Sequence, residues 1–114
     1  MDPKWLDRDR IDNEIRAVDF STLTYDHDFG IYCRDGEPFT GVSCRRHADG
    51  KLQGMMHHAE GQVTGVSVAW YPNGQIKLYS EMHSDTLHGL HLEWAKDGTK
   101  SAEQRYRRGE LVID

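Results

Sequence analysis

The sequence predicts an all-β fold: an elongated antiparallel single-sheet meander of stacked 24-residue β-hairpins behind a short N-terminal arm or helix. Three observations carry that expectation. Among 114 residues and 11 glycines, Gly41, Gly65 and Gly89 are 24 apart, as are Gly50, Gly74 and Gly98, while Gly61 and Gly109 lie two periods apart with Asp85 midway; a fixed period of this length marks a repeat architecture. Apolar residues alternate with polar ones between these glycines, the period-two pattern of strands with one apolar face. The composition, 37% hydrophobic and 29% charged with a mean hydropathy of -0.77, suits a thin fold and disfavours a layered α/β enzyme with a thick core. Three Trp, five Tyr and three Phe argue against disorder, because they supply apolar surface to offset chain entropy.

Residues 1–22 read as an acidic arm or cap. Ile11, Ile15 and Val18 have helical spacing and Pro3 stands where a helix could start, whereas residues 18–25 alternate like a strand. The segment is expected to cover one end of the sheet as a short helix or extended arm, with Trp5 or Phe20 as the plug.

Residues 23–114 form the hairpin domain, with units at 41–64, 65–88 and 89–112 preceded by a partial unit. One or two strands are expected between Thr22 and Tyr32, and a bulge near Pro38, because Gly36 precedes Gly41 by five residues where Gly61 precedes Gly65 by four. The first half of each unit alternates: Val42 and Cys44; Val66, Val68 and Trp70; Leu90, Leu92 and Trp94. Mid-unit turns at Ala48-Asp49-Gly50, Pro72-Asn73-Gly74 and Lys96-Asp97-Gly98 fit a three-residue loop, a type I turn followed by a left-handed residue. That loop pairs Trp70 with Ile76 and Val68 with Leu78, and it puts Leu90 and Leu92 on the face of Ala102 and Val42 on that of Met56. The second turns, Ala59-Glu60-Gly61, His83-Ser84-Asp85 and Arg107-Arg108-Gly109, are expected to repeat the same geometry. Eight strands would span about 40 Å. The register sets Cys44 opposite about Asp26, so no disulfide to Cys33 is expected.

Charge separates function classes. Residues 1–40 hold ten acids against five bases and the remainder nine against nine. A balanced array lacks the clustered Lys and Arg that a nucleic-acid groove or an anionic membrane surface needs, which favours a cationic partner. With no apolar span, no secretory leader pattern and only two cysteines, the expected location is cytoplasmic, with reduced thiols.

The seven histidines are expected to be surface or turn residues, since adjacent His57 and His58 project to opposite strand faces and cannot converge on a metal. No nucleophile elbow, phosphate loop, zincin helix or dinucleotide fingerprint is present, so neither catalysis nor a cofactor is expected. Contact candidates are aromatic and acidic. Tyr71 sits in the solvent parity; Trp70 and Trp94 lie in the apolar column and favour the core; Met55 and Tyr79 share the otherwise polar face. Asp26, Asp28, Asp35 and Glu37 close the acidic leader and could steer a basic partner. Arg105, Arg107 and Arg108 form a basic cluster at a turn.

The segments TG at 40–41, WYPNGQIK at 70–77, HGLHLEWAKDG at 88–98 and YRRGEL at 106–111 resemble the MORN-repeat variant. The lead-in RDGEPFTG at 34–41, followed by these hairpins, resembles the bacterial YwqK-type toxin-antitoxin antitoxin or immunity protein family over residues 23–112. Unit one departs from the others, with Arg46 where they carry Trp70 and Trp94. The resemblance implies a binding protein that occludes the active site of a cognate toxin, such as a basic nuclease or another effector. The alternative is a MORN-type scaffold, or a homodimer formed through an exposed edge strand.

Overall fold

The computed structural model describes residues 1–113. The chain is mostly β and forms two sheets. The large one is assembled from β1 (Val18–Asp19), β5 (Gly41–Arg46), β6 (Leu52–Ala59), β7 (Gln62–Trp70), β8 (Ile76–His83), β9 (Thr86–Trp94), β10 (Lys100–Arg107) and β11 (Glu110–Leu111), in that order across the sheet. The small one comprises β2 (Thr24–Asp26), β3 (Ile31–Arg34) and β4 (Glu37–Pro38). From β5 to β11 every strand pairs antiparallel with its successor, but β1 runs parallel to β5, with Val18 opposite Ser43 and Asp19 opposite Cys44. The expected single antiparallel sheet is therefore corrected on two counts. The leader contributes a parallel edge strand, and the strands between Thr22 and Tyr32 leave the main sheet for one of their own. The shape, 41 × 40 × 21 Å, is a square plate and not an elongated rod.

Turn chemistry sets the hairpins. At the mid-unit turns Gly50, Gly74 and Gly98 have φ of 87°, 90° and 92° and donate to the carbonyls of His47, Tyr71 and Ala95, as a three-residue loop with a left-handed last residue requires. The second turns differ from expectation. Both central residues have positive φ in Glu60-Gly61, Ser84-Asp85 and Arg108-Gly109, and the flanking pairs Ala59–Gln62, His83–Thr86 and Arg107–Glu110 close two-residue loops. This is the type I′ geometry, whose twist matches that of the strands.

Bulges explain why the expected pairing slips. Ala69 pairs with Leu78 and Trp70 with Ile76, leaving Lys77 extra, so Val68 faces Tyr79 and not Leu78. Equivalent slips leave Gln53 and Ser101 extra. Val42 consequently pairs with His57, opposite in face to Met56, and Leu92 pairs with Glu103 while Ala102 joins the other face. One inserted residue reverses side-chain parity beyond it. Cys44 lies between Asp19 and Met55, not opposite Asp26, and both cysteines are buried free thiols.

The front face of the large sheet carries the core: Cys44, Met55, Val68, Trp70, Ile76, Tyr79, Leu92 and Trp94, with Trp5 and Ile11 laid over them. The N-terminal segment thus covers a face and not an end. A 3-10 turn at Pro3–Leu6 is capped by Asp2, and helix α1 (Arg8–Glu14) by Asp7, each carboxylate accepting a backbone N–H of the first turn. Trp5 is the buried plug, and its carbonyl accepts from Trp70 Nε1 at 3.0 Å. Arg8 donates to Tyr71 O at 3.2 Å, while Arg46 grips Asp12 through two 2.9 Å bonds. Asp12 is held below the ordinary carboxylate range chiefly by that hydrogen bond.

Candidate functional site

The front face is spoken for by the N-terminal cover, so the surfaces offered outward are the back face, the turns and the edges. On the back face the ladder brings Ser43, Met56, Ser67, Ser80, His91 and Gln104 into one row and Arg45, Gly54, Ala69, Leu78, Glu93 and Ala102 into the next. Apart from Met56 and Leu78 these side chains are small or polar, and the surface is shallow. It deepens to a groove of about 410 Å³ where Phe20 and Tyr32 rise beside Arg45, Met56 and Ser67. The wall is aromatic and cationic: the Arg45 guanidinium lies 4.2 Å above the Phe20 ring, and Phe20 meets Tyr32 edge-on at 5.4 Å.

Two Ser–His pairs sit in this face. Ser43 Oγ and His58 Nε2 are 2.8 Å apart, and Ser80 Oγ and His91 Nδ1 are 2.7 Å apart. Both hydroxyls are buried. His58 lies between Tyr32 and Phe39, its Nδ1 buried without a partner, and burial lowers its pKa, with the neighbouring His57 adding to the effect. An imidazole whose second nitrogen has no orienting acceptor lacks the support that a general base draws from a third group. His91 Nε2 does reach Glu93 Oε2, at 3.5 Å. Among the described residues no three or more His, Cys, Asp or Glu side chains converge as a metal site. His57 Nδ1 donates to Val66 O at 2.8 Å and His47 Nε2 to Trp70 O at 2.9 Å, both bracing the ladder.

The expected contact residues separate into three groups. Trp70 and Trp94 are buried in the front-face core. Met55 and Tyr79, expected on the polar face, are 2% and 3% exposed in that same core, because the bulges at Gln53 and Lys77 reverse their parity. Tyr79 donates to Glu81 Oε2 at 2.7 Å, and Glu81 Oε1 accepts from Leu90 N at 2.8 Å. Burial pushes Glu81 upward, yet the bonds from Leu90 and Tyr79 help to hold it below its ordinary value. Burial, then the bond to Glu81, raises the Tyr79 phenol. Tyr71 is half-buried and donates to Trp94 O at 2.7 Å, so it ties neighbouring hairpins together.

The acidic candidates all belong to the small sheet but divide between its two ends: Asp26 ends β2 and Asp28 sits in the β2–β3 loop, beside Ile31, whereas Asp35 and Glu37 form and follow the β3–β4 turn, beside Arg34. Sequence reasoning missed the aromatics beside Asp26 and Asp28: Phe29 is 79% exposed and Tyr25 46% exposed. The available signal was the Asp26–Gly30 stretch itself, where an aromatic stands in a turn-forming segment with no strand neighbour to cover it.

No helix is long and apolar enough to cross a membrane among the described residues. Comparison of the chain with protein-family models, with curated proteins and with solved structures finds no match.

Proposed function

We propose that this chain is a non-enzymatic binding module, an antitoxin or immunity protein that neutralises a cognate toxin by covering its active site. The observation that carries the reading is the back face of the large sheet, which over β7–β10 presents the half-buried or exposed Ser67, Ala69, Leu78, His91, Glu93 and Gln104 and which deepens into the groove beside Phe20, Tyr32 and Arg45. A broad shallow face with one aromatic and arginine-rimmed depression suits protein recognition, where such side chains dominate binding energy. The MORN-like reading of the hairpins draws support from the shared left-handed φ at Gly50, Gly74 and Gly98 and from ties at equal spacing along the turn edge. In these ties Glu60 N, Ser84 N and Arg108 N donate to Thr40, Thr64 and His88 side chains. The buried free thiols of Cys33 and Cys44 suit a cytoplasmic setting.

Co-expression with the product of each neighbouring reading frame tests the reading. Growth rescue with co-purification is the expected result, and the absence of rescue by every neighbour counts against it. A second reading, a scaffold that self-associates, is favoured by the outer edge of β10: β11 pairs with Tyr106 and Arg107 and Val112 N donates to Arg105 O, leaving Lys100–Gln104 without a partner strand there among the described residues. Light scattering separates the two, since a concentration-dependent homodimer indifferent to any toxin supports the scaffold.

A further inference from the structure

We infer that the β2–β3 hairpin is the docking element of this chain, an aromatic knob whose Phe29 enters an apolar pocket on a basic protein. The inference rests on the reading of the chain as a binding module and names the surface and the partner's chemistry. A phenylalanine at 79% exposure leaves most of its ring in water, and moving that ring into an apolar pocket is favourable.

The knob is held in advance of binding. Asp26 accepts from Asp28 N at 2.9 Å and Phe29 N at 3.2 Å, and Gly30 N donates to Asp26 O at 2.7 Å with Gly30 at φ 66°. A loop already fixed loses less freedom on association. Tyr25, 46% exposed, packs edge-on against His27 at 4.9 Å and Tyr32 at 5.0 Å. Since Tyr32 in turn meets Phe20, an aromatic run from Tyr25 through Tyr32 joins the base of the hairpin to the back-face groove, with Phe29 standing beyond it.

Charge selects the occupant. Residues 24–38 carry four carboxylates, Asp26, Asp28, Asp35 and Glu37, against one guanidinium, Arg34, a net of −3. The helix acids are engaged within the chain, Asp12 with Arg46, Glu14 with Arg10 and Asp9 with Lys51; among the described residues no ion pair engages the four on the small sheet. A second exposed apolar group, Leu111 to Ile113, has no field of one sign: Leu111 and Val112 line a cavity with both Glu103 and Arg105. A basic surface with an apolar pocket complements the knob and gains association rate from the unpaired carboxylates.

The test uses the full chain and, as probe, the catalytically inactivated product of the adjacent reading frame, with hen lysozyme as a basic protein of unrelated shape. Phe29→Ala is expected to weaken binding to the probe by about tenfold or more. Asp28→Asn with Asp35→Asn and Glu37→Gln is expected to slow association about tenfold at low salt and to flatten its salt dependence. Unchanged melting curves show that the variants fold. Probe binding that neither variant alters overturns the knob while leaving the module standing. Equal binding to lysozyme reduces the patch to unspecific attraction and also overturns it. A wild-type chain that binds no neighbouring product overturns module and knob together.

Discussion

His58 gives the fold a pH dependence just below neutrality. Burial among Tyr32, Phe39 and Ser43 depresses its pKa below the ordinary 6.5, and its Nδ1 has no acceptor, so a proton there would bring an unpaired buried donor. The unfolded chain takes up that proton near pH 6.5 and the folded chain resists it. Stability from this site is therefore whole above about pH 6.5 and falls as the pH drops below it, toward the depressed folded value. Thermal melts from pH 7.5 to 5.5 should show a steeper loss for the wild type than for His58→Phe, and parallel slopes would remove His58 from the account. At this scale the sequence is an uneven guide. It places Trp70 and Trp94 in the core by parity alone, yet parity does not reach Phe29, left in water, or Phe39, buried against His58. That distinction depends on which chain segments come to lie nearby.

Hairpin turns make a sharper comparison, because Gly36 and Gly61 share a left-handed φ, 82° and 84°, in very different surroundings. A Cβ at Gly36 meets nothing within 4 Å, whereas one at Gly61 would lie 2.7 Å from Ile31 Cβ and 2.9 Å from Tyr32 O. Gly36→Ala should cost about 1–2 kcal/mol, the price of a left-handed residue alone, and Gly61→Ala about 3 kcal/mol or more once overpacking against the small sheet is added. Urea unfolding measures both, and equal losses would mean that the small sheet yields freely at Gly61. Element spacing was readable because only glycine and a few polar residues tolerate positive φ. The bulges at Gln53, Lys77 and Ser101 were not: three different side chains occupy them, and no residue type marks a slipped ladder. Missing those slips moved Met55 and Tyr79 to the wrong face. The parallel β1 escaped for a different reason, its two residues being too short to set a period.

Across the whole molecule the acidic leader has two destinations. Its first half folds into the cover over the front face and engages basic residues there, and its second half supplies the small sheet with unpaired carboxylates. The summed charge of the first 40 residues was legible, but their division was not, because it follows from where the chain turns around the edge of the sheet at β1. The cover is what lets the front face of the large sheet keep a buried core. Trp5→Ala, which removes the plug from between Trp70 and His57, should cost about 3–5 kcal/mol. It should also raise binding of a hydrophobic dye at temperatures where the wild type binds none; a variant with the wild-type urea midpoint would show that Trp5 seals nothing.

The bond between Trp5 and Trp70 joins residues 65 positions apart, and that distance orders events in time. During synthesis at about 5–20 residues per second, the cover leaves the ribosome ahead of the strands it seals and cannot dock until β7 and β8 have followed it, several seconds later. Hairpins β5–β6 and β6–β7 close through near neighbours while their apolar front is still bare. The cover is thus made before the strands it seals and settles only after them, and the nascent chain passes through an interval in which chaperones, or a partner already present, would meet the unsealed side of the sheet.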